Sequence, residues 1–255
     1  MKSSPRLRRF GIVLSVLAII GSVLYFIFRN LLTVSPEEAL SEGKTLLQKK
    51  TVLAVVAHPD DLEWYIGGTL HRLAVAGANV QVVVSASGEK GPNHINATDL
   101  AATREQEQRA AGKINGYTQI HFLRLPDRGV AKDPRFLPEV EKIYNTVKPE
   151  AVFVFDPDCP SLPYLHADHQ GSARLFLSFW RGLTGDRPPV YLFQTRRPNV
   201  AVDISDVLDT KTLALAEHHS QYGVQDSNGG RMIQMFRAEG SRVGVEAAEL
   251  YRVLR

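Results

Sequence analysis

The chain is almost without cysteine. Cys159 is the only one in 255 residues, which excludes an internal disulfide and any cysteine-rich zinc site. Internal repeats and low-complexity tracts are absent too. With 44% hydrophobic and 22% charged residues, the length suits one domain with a buried core, plus an appendage. Acidic residues are missing from the first thirty positions, which hold five of the chain's 30 Lys/Arg. Beyond them 25 basic residues face 27 acidic ones, so the basic excess is an N-terminal feature. A nucleic-acid partner therefore has no electrostatic warrant in the body of the chain.

What is present at the N-terminus is apolar. Phe10 to Phe28 (FGIVLSVLAIIGSVLYFIF) is an uncharged run of 19 residues, about the length that a hydrocarbon core requires. The apolar part of a cleavable signal peptide usually has about 7–15 residues and ends in small side chains. This run ends in Tyr25, Phe26, Phe28 and Arg29, which favours an uncleaved transmembrane anchor. Lys2, Arg6, Arg8 and Arg9 precede it, and only Arg29 and Lys44 follow closely. Positive-inside bias then keeps the N-terminus cytoplasmic and places the remainder on the periplasmic, extracellular or lumenal side. The expected organisation is a basic segment (1–9), an anchor (10–28), a polar, helical connector (29–50) and a catalytic domain (51–255).

Within that domain short apolar runs alternate with helical patterns. Strands are expected at 51–57, 79–87, 119–125, 151–156 and 190–195, and helices at 67–77, 101–113, 137–147 and 170–180. The stretch 202–219 opens with turn and capping residues and then turns helical. Such alternation predicts an α/β fold, a Rossmann-like, mostly parallel sheet with helices on both faces. Residues 223–255 carry no readable motif and would add a strand and a closing helix.

The first strand ends abruptly in chemistry: VVAHPDDLEWYIGGTL (55–70) places His58, Pro59, Asp60 and Asp61 at its carboxyl end. HADH (166–169) follows the fourth strand and a Pro-rich loop. In open parallel sheets ligands sit beyond the carboxyl ends of the strands, so both clusters are expected to face one crevice. His58 and Asp61 supply two metal ligands across a tight turn, and a histidine of HADH supplies the third. Two imidazoles and a carboxylate suit a catalytic zinc that keeps a position open for water. One aspartate and one histidine are then left for acid and base work. Helix capping alone would also explain Pro-Asp-Asp, but two such clusters at comparable strand ends favour the metal.

The same residues resemble the zinc-dependent de-N-acetylases of the PIG-L/LmbE type, which act on N-acetylglucosaminyl-phosphatidylinositol and on mycothiol and bacillithiol precursors. AHPDDLE (57–63) resembles the family's AHPDD signature, and Gly67-Gly68-Thr69 its GGT element. In the same order, SASGEKG (85–91), TREQEQRAA (103–111), LPDRG (125–129), HADH and VDISDVLDTKTLALAEHHSQ (202–221) resemble its later motifs, over roughly residues 51–222. The resemblance implies zinc ligands His58, Asp61 and His169, and Asp60 as the base for the attacking water. It implies that His166 stabilises the oxyanion or protonates the leaving amine, and that Arg104 contacts substrate. The implied activity is removal of acetyl from an N-acetylated amino sugar, lipid- or envelope-linked or soluble, with release of acetate and a free amine. A catalytically retired glycan-binding module and a metallohydrolase of another amide or ester are the alternatives.

The sequence also departs from the family pattern. Leu62 separates the aspartates from Glu63, which receives no role, and Arg128 stands where glycine is frequent. Asp156 and Asp158 read as turn formers, and His218 and His219 as structural groups or neighbours of the site. His71, His94 and His121 read as ordinary packing or surface histidines. The oligomeric state is not legible.

Overall fold

The computed structural model describes residues 15–22, 31–158, 167–223 and 230–255. Two compact units are resolved, Met1–Leu31 and Leu32–Arg255. In the first, residues 15–22 are helical, with Val16, Leu17, Ile19 and Ile20 exposed. Among the described residues no helix is long and apolar enough to cross a membrane. The rest of the expected span, 10–14 and 23–28, lies outside them.

The second unit opens with α1 (Pro36–Leu46), which starts at the Ser35 cap and the dipole-favoured Glu37 and Glu38. Instead of bridging solvent, this part of the expected connector packs on the sheet edge, where a Cβ at Gly43 would run into the Ala201 carbonyl. The elements that follow are β1 (Thr51–Val56), α2 (Asp61–Tyr65), α3 (Gly67–Val75), β2 (Asn79–Ala86), α4 (Leu100–Asn115), β3 (Gln119–Leu125), α5 (Phe136–Val147), β4 (Ala151–Phe155), α6 (Ala167–Gly182) and β5 (Val190–Phe193). The chain ends with β6 (Val200–Asp203), α7 (Leu208–Ala216), α8 (His219–Tyr222), α9 (Gly230–Ser241) and β7 (Ala248–Leu254).

The seven strands form one sheet in the order β3-β2-β1-β4-β5-β7-β6. β1 to β5 are parallel, and β7 runs antiparallel between β5 and β6. Strands buried on both faces need apolar side chains at every position, and β1 (TVLAVV) and β4 (AVFVF) are apolar throughout after Thr51 and fully buried there. Helices α3, α4 and α7 pack together as one layer, and α5 and α6 as the other.

Strand order reverses between β1 and β4, and this switch point opens a crevice at their carboxyl ends. The expected start of 202–219 differs from what forms. Val200–Asp203 is a strand because β7, fifty residues later, pairs with it, and no local turn signal reports so distant a partner.

Candidate metal centre and its cleft

The turn after β1 is built around an unusual backbone. Asp60 has φ 89° and ψ −26°, left-handed values that favour glycine and that aspartate tolerates better than most residues. The twist allows the His58 amide to donate to Asp61 Oδ2 at 2.8 Å and lets α2 begin at Asp61. His58 and Asp61 therefore face the same side. From β4, Phe155 stacks flat on the His169 ring, with centroids 4.0 Å apart and planes at 6°. Asp168 and His169 occupy the first turn of α6.

These pieces converge. His58 Nδ1 lies 3.3 Å from His169 Nε2, and His169 Nε2 lies 3.1 Å from Asp61 Oδ1. His58, Asp61 and His169 are all buried and form a group able to hold a metal ion. Donors bound at about 2.0 Å around a tetrahedral ion are separated by roughly 3.3 Å, so the spacing and the donor types fit zinc.

The opposite nitrogen of His58 faces carboxylates: Asp127 Oδ1 at 3.0 Å and Asp168 Oδ2 at 3.6 Å. Asp127 is fixed by the Lys90 amide, and Asp168 by the Val130 amide. Asp168 Oδ2 itself has no hydrogen-bond partner. With Nε2 committed to these carboxylates, Nδ1 is the nitrogen turned toward Asp61 and His169. Such outer carboxylates fix the tautomer of a metal-binding histidine and raise its basicity.

Four buried or half-buried carboxylates crowd the region. Burial lowers the pKa of His58, but hydrogen bonds to Asp127 and Asp168 and the charge of Asp61 outweigh it and raise it to about 10. Burial raises that of Asp61, yet His169 and His58 bring it down to about 2. Asp60 goes the other way: burial raises its pKa and Asp61 adds to the rise, against the opposing pull of Arg104. Its oxygens accept from Arg104 Nη2 at 3.2 Å and Tyr222 Oη at 2.8 Å, and its amide donates to Gln108 Oε1 at 3.1 Å. A carboxylate so placed is a natural proton acceptor.

His58, Asp60, Asp61, Asp127, Asp168 and His169 line one cleft of about 1040 Å³. Trp64 and Tyr222 stack along it, with centroids 5.7 Å apart, and Lys90 and Arg128 stand at it as well.

Of the six residues singled out in the sequence, the structure brings together His58, Asp60, Asp61, His169 and Arg104. His166 lies outside the described residues. Arg104, expected to touch substrate, lines the cleft and donates to the Gly88 and Pro59 carbonyls and to Asp60 Oδ1. Sequence reasoning gave no role to Asp127, Asp168 or Tyr222. LPDRG and HADH, already recognised as segments, carried the signal for the first two.

Glu63 turns out to be a structural hub. It accepts from Gln108, Asn115, Tyr117 and His218, which also gives His218 a structural partner.

A family model described as PIG-L, GlcNAc-PI de-N-acetylase, matches residues 53–180. The diacetylchitobiose deacetylase of Thermococcus kodakarensis is 29% identical over 191 residues, covering 68% of this chain and 70% of the relative. Among solved structures, the N,N'-diacetylchitobiose deacetylase from Pyrococcus horikoshii superposes with a TM-score of 0.75 at 24% identity, covering 86% of this chain and 88% of that one. The 4-carboxy-2-hydroxymuconate hydratase GalB from Pseudomonas putida reaches 0.67, also at 24% identity, covering 81% and 96%. The fold thus carries more than one chemistry, and the site must decide.

Proposed function

Because the chain belongs to the PIG-L family of GlcNAc-PI de-N-acetylases, we propose that it hydrolyses the acetamide of an N-acetylglucosamine-type conjugate with the help of zinc. The observation that carries this reading is the convergence of His58, Asp61 and His169 beside Asp60 in one cleft. Zinc held by those three residues would supply a Lewis acid for the carbonyl and make water more acidic.

The chain's own residues do the rest. Asp60, with its raised pKa, takes the proton of the attacking water. Asp127 and Asp168 hold His58 by its far nitrogen. Trp64, Tyr65 and Tyr222 wall the cleft with aromatic surface on which a sugar face can lie. We assign His166, from its place in HADH, to the oxyanion or the leaving amine. Collapse of the tetrahedral adduct releases acetate and a primary amine.

The apolar run 10–28 would tether the enzyme as a single-pass protein with its catalytic domain on the far side of the membrane. The anchor motivates a lipid- or envelope-linked substrate, whereas a soluble conjugate needs no anchor.

The test is a panel of N-acetylglucosaminides, neutral and lipid-linked, assayed for acetate and new primary amine in the presence of zinc. Stoichiometric release of both supports the reading. Glycan binding without acetate supports the binding-module alternative, and a different leaving group supports another metallohydrolase. For topology, protease given access to the non-cytoplasmic face of the membrane, as in right-side-out spheroplasts, should digest the domain; full protection there would refute the orientation.

A further inference from the structure

Three buried polar side chains behind the cleft have no part in the proposed reaction. Glu63 on α2, Gln108 on α4 and His218 at the start of α8 are each 0% exposed, and none of them lines the cleft. They form one chain of hydrogen bonds that ends on Asp60. His218 Nε2 meets Glu63 Oε2 at 3.1 Å, Gln108 Nε2 donates to the same oxygen at 3.0 Å, and Gln108 Oε1 accepts from the Asp60 amide at 3.1 Å. Asn115 and Tyr117 donate to the other oxygen of Glu63.

The chemistry of these groups fixes the direction of the chain. A carboxylate without its proton only accepts, whereas a side-chain amide has one accepting and one donating end. With its NH2 turned to Glu63, Gln108 must turn its carbonyl to Asp60. That end matters because the Asp60 amide belongs to a turn that needs support: Asp60 has φ 89°, and no side chain caps the start of α2. A left-handed non-glycine residue costs about 1–2 kcal/mol and persists where its surroundings hold it.

A second arm leads from Glu63 to the same aspartate. α8 starts from His218, and Tyr222 at its end donates to Asp60 Oδ2 at 2.8 Å. Glu107, beside Gln108 on α4, ties this arm down by accepting from the Ser220 amide at 2.8 Å and from its hydroxyl at 2.7 Å. Glu63 thus stands behind both the backbone and the side chain of Asp60.

We propose that Gln108 is a positioning residue for Asp60, with Glu63 and His218 as the anchor that sets its orientation. This rests on the deacetylase reading for its catalytic consequence, though not for its structural one. Gln108 does not line the cleft, so its loss acts on kcat and not on substrate binding. Misplacing a reacting group by about 1 Å can cost on the order of 10²-fold.

The test compares Gln108→Leu, Gln108→Asn, Gln108→Glu and the Glu63→Gln/Gln108→Glu double variant in the full chain. Steady-state kinetics are read on the best N-acetylglucosaminide, together with zinc per chain and amide hydrogen exchange over residues 58–64. Gln108→Leu should lower kcat by about 10-fold to 10²-fold with KM within about threefold. Its zinc content should stay at the parent value, and exchange at 58–64 should quicken. Gln108→Asn, one methylene short of both partners, should shift the same readings in the same direction. Gln108→Glu sets a second carboxylate against Glu63 and should lose kcat as well. Adding Glu63→Gln restores a donor between the two positions and should recover about tenfold of that loss.

A folded, zinc-loaded Gln108→Leu protein with kcat within about threefold of the parent would overturn the proposal, as would a rise in KM alone. Should Gln108→Leu not fold, Gln108→Asn and the exchanged pair are read on the same terms. If the parent protein released acetate from no N-acetylated sugar, the deacetylase reading would fail. Exchange at 58–64 would then decide the positioning role by itself, and unchanged exchange would overturn it.

Discussion

Two groups of buried carboxylates in this molecule have opposite fates. Glu249 on β7 is 1% exposed, and its oxygens accept from the amides of Gly68 and Thr69 at the start of α3, from Lys211 Nζ and from Tyr251 Oη. Lys211 in turn lies over the Phe236 ring. Glu63 is likewise met by four donors. Around His58, in contrast, Asp61, Asp127 and Asp168 share one imidazole, and Asp168 Oδ2 has no hydrogen bond. The lesson is that buried acidity does not mark a site. Acceptors in excess of donors, turned into a cleft, mark one, because each unsatisfied buried group carries a cost that a cation relieves.

That contrast can be broken most severely at the base. Asp60→Asn should reduce turnover by about 10²–10⁴-fold while zinc content stays at the parent value; a near-normal rate would remove Asp60 from its role. In the satisfied network the loss should appear in stability instead. Glu249→Ala leaves Lys211 buried without its partner and should cost about 3–5 kcal/mol in denaturant unfolding, with zinc per folded chain unchanged.

A smaller effect sharpens the difference between inner and outer carboxylates. Asp127→Asn should weaken zinc binding by about 10–100-fold in a competition titration, without abolishing it. The parent's affinity should also depend on pH. Since His58 without metal titrates near 10, zinc must displace its proton, and affinity should rise about tenfold per pH unit toward that value. In the metal-free chain the sign is reversed. The stabilisation from protonated His58 is complete below 6.5 and disappears as pH rises through about 10. The least effect belongs to exposed pairs: Asp206→Ala, which removes the Arg72 partner, should change stability by about 1 kcal/mol or less.

Much of this was legible in the chain. Continuous apolar runs announce strands buried on both faces, which is why β1 to β5 fall where expected and β3 matches to the residue at 119–125. β6 was hidden, since it depends on a partner some fifty residues later, whereas a strand and a helix were expected within 223–255 without positions, and β7 (Ala248–Leu254) and α9 (Gly230–Ser241) form there. In the site, residues sharing a short motif with a turn, His58, Asp60 and Asp61, were visible at once. Asp127 was not, because its partner His58 is 69 positions away, and a lone aspartate in LPDRG reads as a turn former. Arg104 was singled out by its motif as a substrate contact, while two glycines that border its guanidinium lie in another loop.

Whether His58, Asp61 and His169 hold a metal beside these crowded carboxylates is read most directly from zinc content. The full chain and its His169→Ala variant would be loaded with zinc, desalted and analysed by elemental analysis. One zinc per parent chain and almost none in the variant are expected, with both proteins folded. Equal zinc in the two, or none in the parent, would contradict metal binding there.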